Sequence, residues 1–228
     1  MANKRIYLIG GSKGGVGKSM VTMATLDYLQ QRGDQVLLIE TDTSNPDVWK
    51  AYQHSFETRV INLDDADGWI ELVNVCEEHP DSVVVINTAA RNNTGVSAYG
   101  STINHSLPEL KRTLVTLWVI NRHRDSLELL KEFMDAIPNS IIHVVRNAHY
   151  GEEKKFELYN NSKTRTAVEI RGGKSLTFPE LADRLVDDIN IKRMTILDAS
   201  KELPIGNRAE LSRWRGEVRK VLDVIVDE

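Results

Sequence analysis

The chain has 228 residues, a formal net charge of −4 and one cysteine, Cys76. That length buries a sizeable core without staples, the lone thiol excludes an internal disulfide and fits a reducing cytosol, and the charge excludes a globally basic nucleic-acid coat. No N-terminal run reads as a secretory signal and no apolar run approaches a membrane span, so a cytoplasmic protein of one domain, residues 1–228, is expected.

Arg5 to Gly10 reads as a first strand, and Met20 to Gln31, closed by Gly33, as a helix. Between them runs Ser12-Lys13-Gly14-Gly15-Val16-Gly17-Lys18-Ser19. Strand, glycine-rich turn and helix are the context of a phosphate-binding loop. Gly14, Gly15 and Gly17 leave backbone N–H groups free to converge on one anion, together with those of Val16 and Met20. Lys18 suits the β- and γ-phosphates, and the Ser19 hydroxyl suits Mg²⁺. The strict pattern G-x-x-x-x-G-K-[ST] is broken, because Ser12 stands in place of its first glycine. A Gly/Lys surface loop is the bland alternative. Lys13 to Ser19 nevertheless resembles the deviant Walker A box K-G-G-x-G-K-[ST] of the ParA/MinD ATPases. The resemblance implies ATP and Mg²⁺ as ligands, and that Lys13 reaches across a dimer to the partner's nucleotide.

Gln35 to Glu40 reads as a second, buried parallel strand. The following Glu40-Thr41-Asp42-Thr43-Ser44-Asn45-Pro46-Asp47 partly resembles the D-x-D-P-Q switch of that family, with Glu40 replacing its first aspartate. The resemblance gives Asp42 the task of orienting the attacking water near the metal. An ordinary turn of the same residue types is the alternative. Residues 48–80 read as helical, with Trp49, Tyr52 and Phe56 on one face, packed inward or forming an interface.

Asp81 to Ala90 has the Walker B layout, with Asn87 in place of the terminal aspartate. An amide oxygen accepts a hydrogen bond from a metal-bound water but carries no charge, so weaker metal affinity is expected. The polar segment from Arg91 to Gly95 reads as a second switch or a surface loop, with Arg91 facing phosphate or a partner. Leu114 to Ile120 forms a fourth strand, and Leu127, Leu130, Phe133 and Met134 the apolar face of a helix ending near Pro138. Ile141 to Asn147 forms a fifth strand. The family resemblance makes Asn147 the adenine-reading residue, although asparagine is also common at strand ends.

Glu152 to Ile170 reads as one charged helix. Arg171-Gly172-Gly173-Lys174-Ser175 imitates a phosphate loop but follows a helix and precedes a strand, the wrong order, so it reads as a helix C-cap. Pro179 is expected to open the next helix, and a last helix covers Arg208 to Val226. From Lys201 to Lys220 six basic residues face three acids, a local excess of +3 that suits a DNA or partner surface or a solvated helix face. The six histidines show no metal-ligand spacing.

The alternation of strands and helices predicts an α/β, doubly wound, mainly parallel sheet, and the resemblance implies a P-loop NTPase of the ParA/MinD type. Within that family the chain resembles most the plasmid StbB/MobD/TraL-like group, through the Lys13–Ser19 box, Glu40-Thr41-Asp42, Phe178-Pro179 and Leu203-Pro204-Ile205-Gly206. The resemblance implies a slowly hydrolysing, ATP-dependent homodimer acting in plasmid transfer, mobilisation or partition. Its implied partners are a plasmid DNA-binding or relaxase-complex protein, with non-specific DNA a further one. The acidic end of the chain disfavours a membrane anchor. The alternatives are a non-hydrolysing nucleotide-dependent interaction module, which Glu40 and Asn87 favour, and an ATP-dependent carboxylate-activating enzyme.

Overall fold

The computed structural model describes residues 5–11, 14–90 and 93–226. Seven strands form one all-parallel sheet: β1 Arg5–Gly11, β2 Val36–Glu40, β3 Glu57–Val60, β4 Val83–Asn87, β5 Thr113–Ile120, β6 Ile141–Asn147 and β7 Ser175–Phe178. Their order is β3-β2-β4-β1-β5-β6-β7. The chain leaves β1 in one direction, returns through β4, and continues on the other side through β5. Such a reversal opens a crevice at the strand C-termini.

Helices cover both faces. The strands are buried on both sides, and their alternation survives inside the core. In β1, Tyr7 and Ile9 join one cluster with Leu26, Trp214 and Leu222, while Ile6 and Leu8 join the opposite cluster with Trp69, Trp118 and Phe133. The first cluster is closed by α1 Lys18–Gln31, α2 Asp47–Tyr52, α9 Asp183–Lys192, α10 Ile196–Glu202 and α11 Ile205–Val226. The second lies under α3 Ala66–Glu78, α4 Asn93–Tyr99, α5 Ser101–Leu110, α6 Asp125–Ala136, α7 Glu157–Asn160 and α8 Lys163–Ile170.

The doubly wound parallel sheet is as expected, and several local readings are corrected. Residues 48–80 are not continuously helical, because β3 intervenes as an edge strand. Its sequence, Glu57-Thr58-Arg59-Val60, is exposed or half-buried and lacks apolar alternation, as edge strands often do. Tyr52 packs inward: it is stacked 5.8 Å from Phe56, and its hydroxyl accepts the Ile196 N–H at 3.1 Å. Glu152 to Ile170 is broken, with α8 started by Ser162 as an N-cap whose hydroxyl accepts the Arg165 N–H. Pro179 opens no helix; α9 begins at Asp183. The segment expected as a polar loop holds α4 from Asn93 onward, and Arg91 lies outside the described residues. Gly172, at φ 81°, closes a helix rather than cradling phosphate.

Candidate functional site

The loops after β1, β2, β4, β6 and β7 meet at one edge of the sheet. Residues 14–17 lead from β1 into α1, whose N-cap is Gly17 at φ 103° with no side chain capping the helix. The positive end of the α1 dipole thus lies at this loop. Gly17 is required twice over: its φ lies in the left-handed region, and a Cβ there would stand 2.4 Å from Asn147 Nδ2.

Asn147, at the end of β6, donates from Nδ2 to the Val16 carbonyl at 2.9 Å and accepts the His149 N–H at 3.1 Å. Tyr150, just beyond, donates its hydroxyl to the Gly15 carbonyl. Two consecutive loop carbonyls are thus tied to the segment at the end of β6. Asn147, expected as the base-reading residue, is seen here bracing the loop. Sequence reasoning missed Tyr150, because nothing in its local pattern separates it from a surface aromatic.

Lys18 is buried, and burial pushes its ammonium down to about 8, partly opposed by the Asp42 carboxylate nearby. Asp42 is half-buried, and its Oδ1 accepts the N–H groups of Ser44 and Asn45 at 3.2 and 3.1 Å. Ser19 is exposed at the start of α1. Lys13 lies outside the described residues.

Beneath this edge Glu40 and Asn87 form a buried pair. Asn87 Nδ2 lies 3.0 Å from both Glu40 carboxylate oxygens, and Asn87 Oδ1 accepts the Thr22 hydroxyl at 2.8 Å. Glu40 also accepts the N–H of Asp42 at 2.9 Å and that of Trp49. Desolvation pushes its carboxyl up to about 7, with the hydrogen bonds opposing. Ser19, Asp42 and Asn87 offer oxygen atoms only, the donor type that suits Mg²⁺.

A cleft of about 180 Å³ opens beside the loop, lined by Gly15, Gly17, Met20 and Asn147 on one side and Phe178 to Leu181 on the other. Helix α11 supports both walls. Trp214 donates to the Pro179 carbonyl at 2.9 Å and meets Phe178 edge-on, while Arg215 binds Asp27 of α1 through two contacts of 2.9 and 2.8 Å. Arg215 thus serves packing of α11 on α1. Arg213 likewise pairs with Glu210 and Glu217, and Arg219 lies 3.8 Å from Asp223.

Residues 7–155 match the CobQ/CobB/MinD/ParA nucleotide-binding domain. The chain belongs to this family. It is 75% identical over 225 residues to Protein MobD of Acidithiobacillus ferrooxidans, an alignment that covers 99% of each chain. Its fold is similar to that of the septum site-determining protein MinD of Pyrococcus horikoshii, solved with Mg-ADP: TM-score 0.58, 15% identity, covering 97% of this chain and 98% of that one. The MinD cell division protein of Aquifex aeolicus gives a TM-score of 0.53 at 15% identity, covering 93% and 97%. Family membership agrees with the fold and with a nucleotide as the ligand class. Among the described residues no helix is long and apolar enough to cross a membrane.

Proposed function

We propose that the chain is an ATP-dependent switch that binds Mg-ATP at residues 14–20 and hydrolyses it slowly. The observation that carries this reading is the loop braced at the Gly15 and Val16 carbonyls, which runs into α1 with Lys18 buried at the start of that helix. The phosphates sit on the N–H groups of Gly14 to Ser19, Lys18 neutralises the β- and γ-phosphates, and the base occupies the cleft between Asn147 and Phe178 to Leu181. Ser19, and Asp42 and Asn87 through water, would hold Mg²⁺, which when bound would neutralise charge on the phosphates. Asp42 orients water for in-line attack. Lys13, carried over from the deviant Walker A box, completes the site of a second copy, so that nucleotide controls a homodimer.

Full-length similarity to Protein MobD supports a plasmid-linked role in mobilisation or partition, in the cytoplasm and beside a DNA-binding or relaxase-complex partner. We treat residues 1–228 as one domain. The test is binding of a fluorescent ATP analogue in Mg²⁺, followed by phosphate release. Lys18→Ala should abolish binding; a variant that binds like the parent refutes the site. The alternative with a structural argument is a non-hydrolysing module, favoured by the absence of charge on Asn87. Phosphate release above background removes it.

A further inference from the structure

The Walker B position and the first position of the switch after β2 both depart from the family pattern, and the two departures touch. Glu40 and Asn87 are cross-strand partners in the β2–β4 register. Both are buried, Glu40 completely. A carboxylate only accepts hydrogen bonds, so Glu40 fixes which way the Asn87 amide points: Nδ2 toward Glu40, Oδ1 toward Thr22. Thr22 lies on α1 one turn beyond Ser19, and its hydroxyl is shared with the Lys18 carbonyl at 3.0 Å. The pair therefore lies directly under the helix start that carries the metal-side hydroxyl. An aspartate at 87 would face Glu40 with two carboxylates in one dry site, which is strongly unfavourable. The asparagine is thus the partner that Glu40 demands rather than a lost aspartate.

We propose that Glu40 and Asn87 act as one unit, in which the carboxylate at the end of β2 positions the Asn87 oxygen through the amide and supplies, behind the metal side of the loop, the charge that the asparagine lacks. This rests on the reading that the loop binds Mg-nucleotide. Glu40 is a positioning residue: it acts through Asn87 and, by accepting the Asp42 and Trp49 N–H groups, holds the loop that carries Asp42.

The reciprocal exchange tests it. In E40Q/N87D the glutamine amide donates to the new aspartate, its oxygen still accepts the Asp42 N–H, and the aspartate still accepts the Thr22 hydroxyl. The Mg²⁺ concentration for half-maximal binding of a fluorescent ATP analogue is measured at pH 8, with unfolding temperatures of the free proteins. E40Q should raise the Mg²⁺ requirement about tenfold through loss of the nearby charge, and N87D should lower the unfolding temperature. E40Q/N87D should return within about threefold of the parent Mg²⁺ requirement and unfold above N87D. An unchanged Mg²⁺ requirement in E40Q, or a double variant no better than either single, overturns the proposal. A Glu40 that only braced the loop would change the unfolding temperature alone. Should E40Q fail to fold, the double variant decides by itself: folded with the parent requirement it supports the exchange, and unfolded it refutes it. A parent protein that binds no nucleotide in Mg²⁺ refutes the underlying reading instead.

Discussion

Asn147 Nδ2 donates to the Val16 carbonyl at 2.9 Å, joining the end of β6 to the phosphate loop across 131 residues of chain. Together with Tyr150 on the Gly15 carbonyl, it sets the loop's shape before any ligand arrives. Preorganisation of this kind lowers the ordering cost of binding.

Asn147→Ala should therefore weaken nucleotide binding by about tenfold and destabilise the fold by about 1–2 kcal/mol, through a carbonyl left without its donor. Tyr150→Phe should act in the same direction and more weakly, because Gly15 is exposed and water replaces the lost partner. Titration calorimetry with thermal unfolding checks both. Wild-type affinity in Asn147→Ala contradicts the brace.

The lowered Lys18 makes nucleotide affinity pH-dependent. An anion binds the ammonium form, so the free site must take up a proton above about pH 8. Affinity should hold below pH 8 and fall by up to about tenfold per pH unit above it. Fluorescence titrations from pH 6.5 to 9.5 measure this; a flat profile would show that Lys18 does not contact the phosphates.

Glu40 acts on stability with the opposite sense to a surface carboxylate. Its folded value, about 7, lies above the ordinary 4.5, so between these limits the folded state holds the extra proton. Stability is then fully present below about pH 4.5 and is lost as pH rises through 7, by about 3 kcal/mol in total. In E40Q this contribution disappears. Urea unfolding at pH 5 and pH 8 in parent and variant should show the parent's difference shrinking, and equal differences in both would refute the assignment.

The Arg215–Asp27 pair bolts α11 to the helix that follows the phosphate loop, and Asp27 is buried. Arg215→Ala leaves that carboxylate without its cation and should destabilise the fold by about 3–5 kcal/mol. Arg215→Ala combined with Asp27→Ala should recover much of the loss. Denaturant unfolding of both single variants and the double variant decides; a double loss equal to the sum of the two single losses means that the pair is not coupled.

The sheet was legible because parallel strands buried on both faces read as apolar runs, as at Val83 to Ile86. The turn from β1 into α1 was legible because its glycines and Lys18 follow one such run directly. Strand β3 was not, since an edge strand needs no alternation. The Glu40–Asn87 contact was equally hidden. Each residue alone looks like a weakened motif, and only their parallel register brings the carboxylate onto the amide. The partner of Arg215 was hidden in the same way: spacing along α11 says nothing of Asp27, 188 residues away.

In the proposed switch, nucleotide sets the assembly state. Light scattering would measure the solution mass of the free protein, the protein with ADP and Mg²⁺, and the protein with a non-hydrolysable ATP analogue and Mg²⁺. A dimer with the ATP analogue alone, lost in Lys13→Ala while binding persists, is the predicted result. One mass in all three states, with nucleotide demonstrably bound, would contradict it.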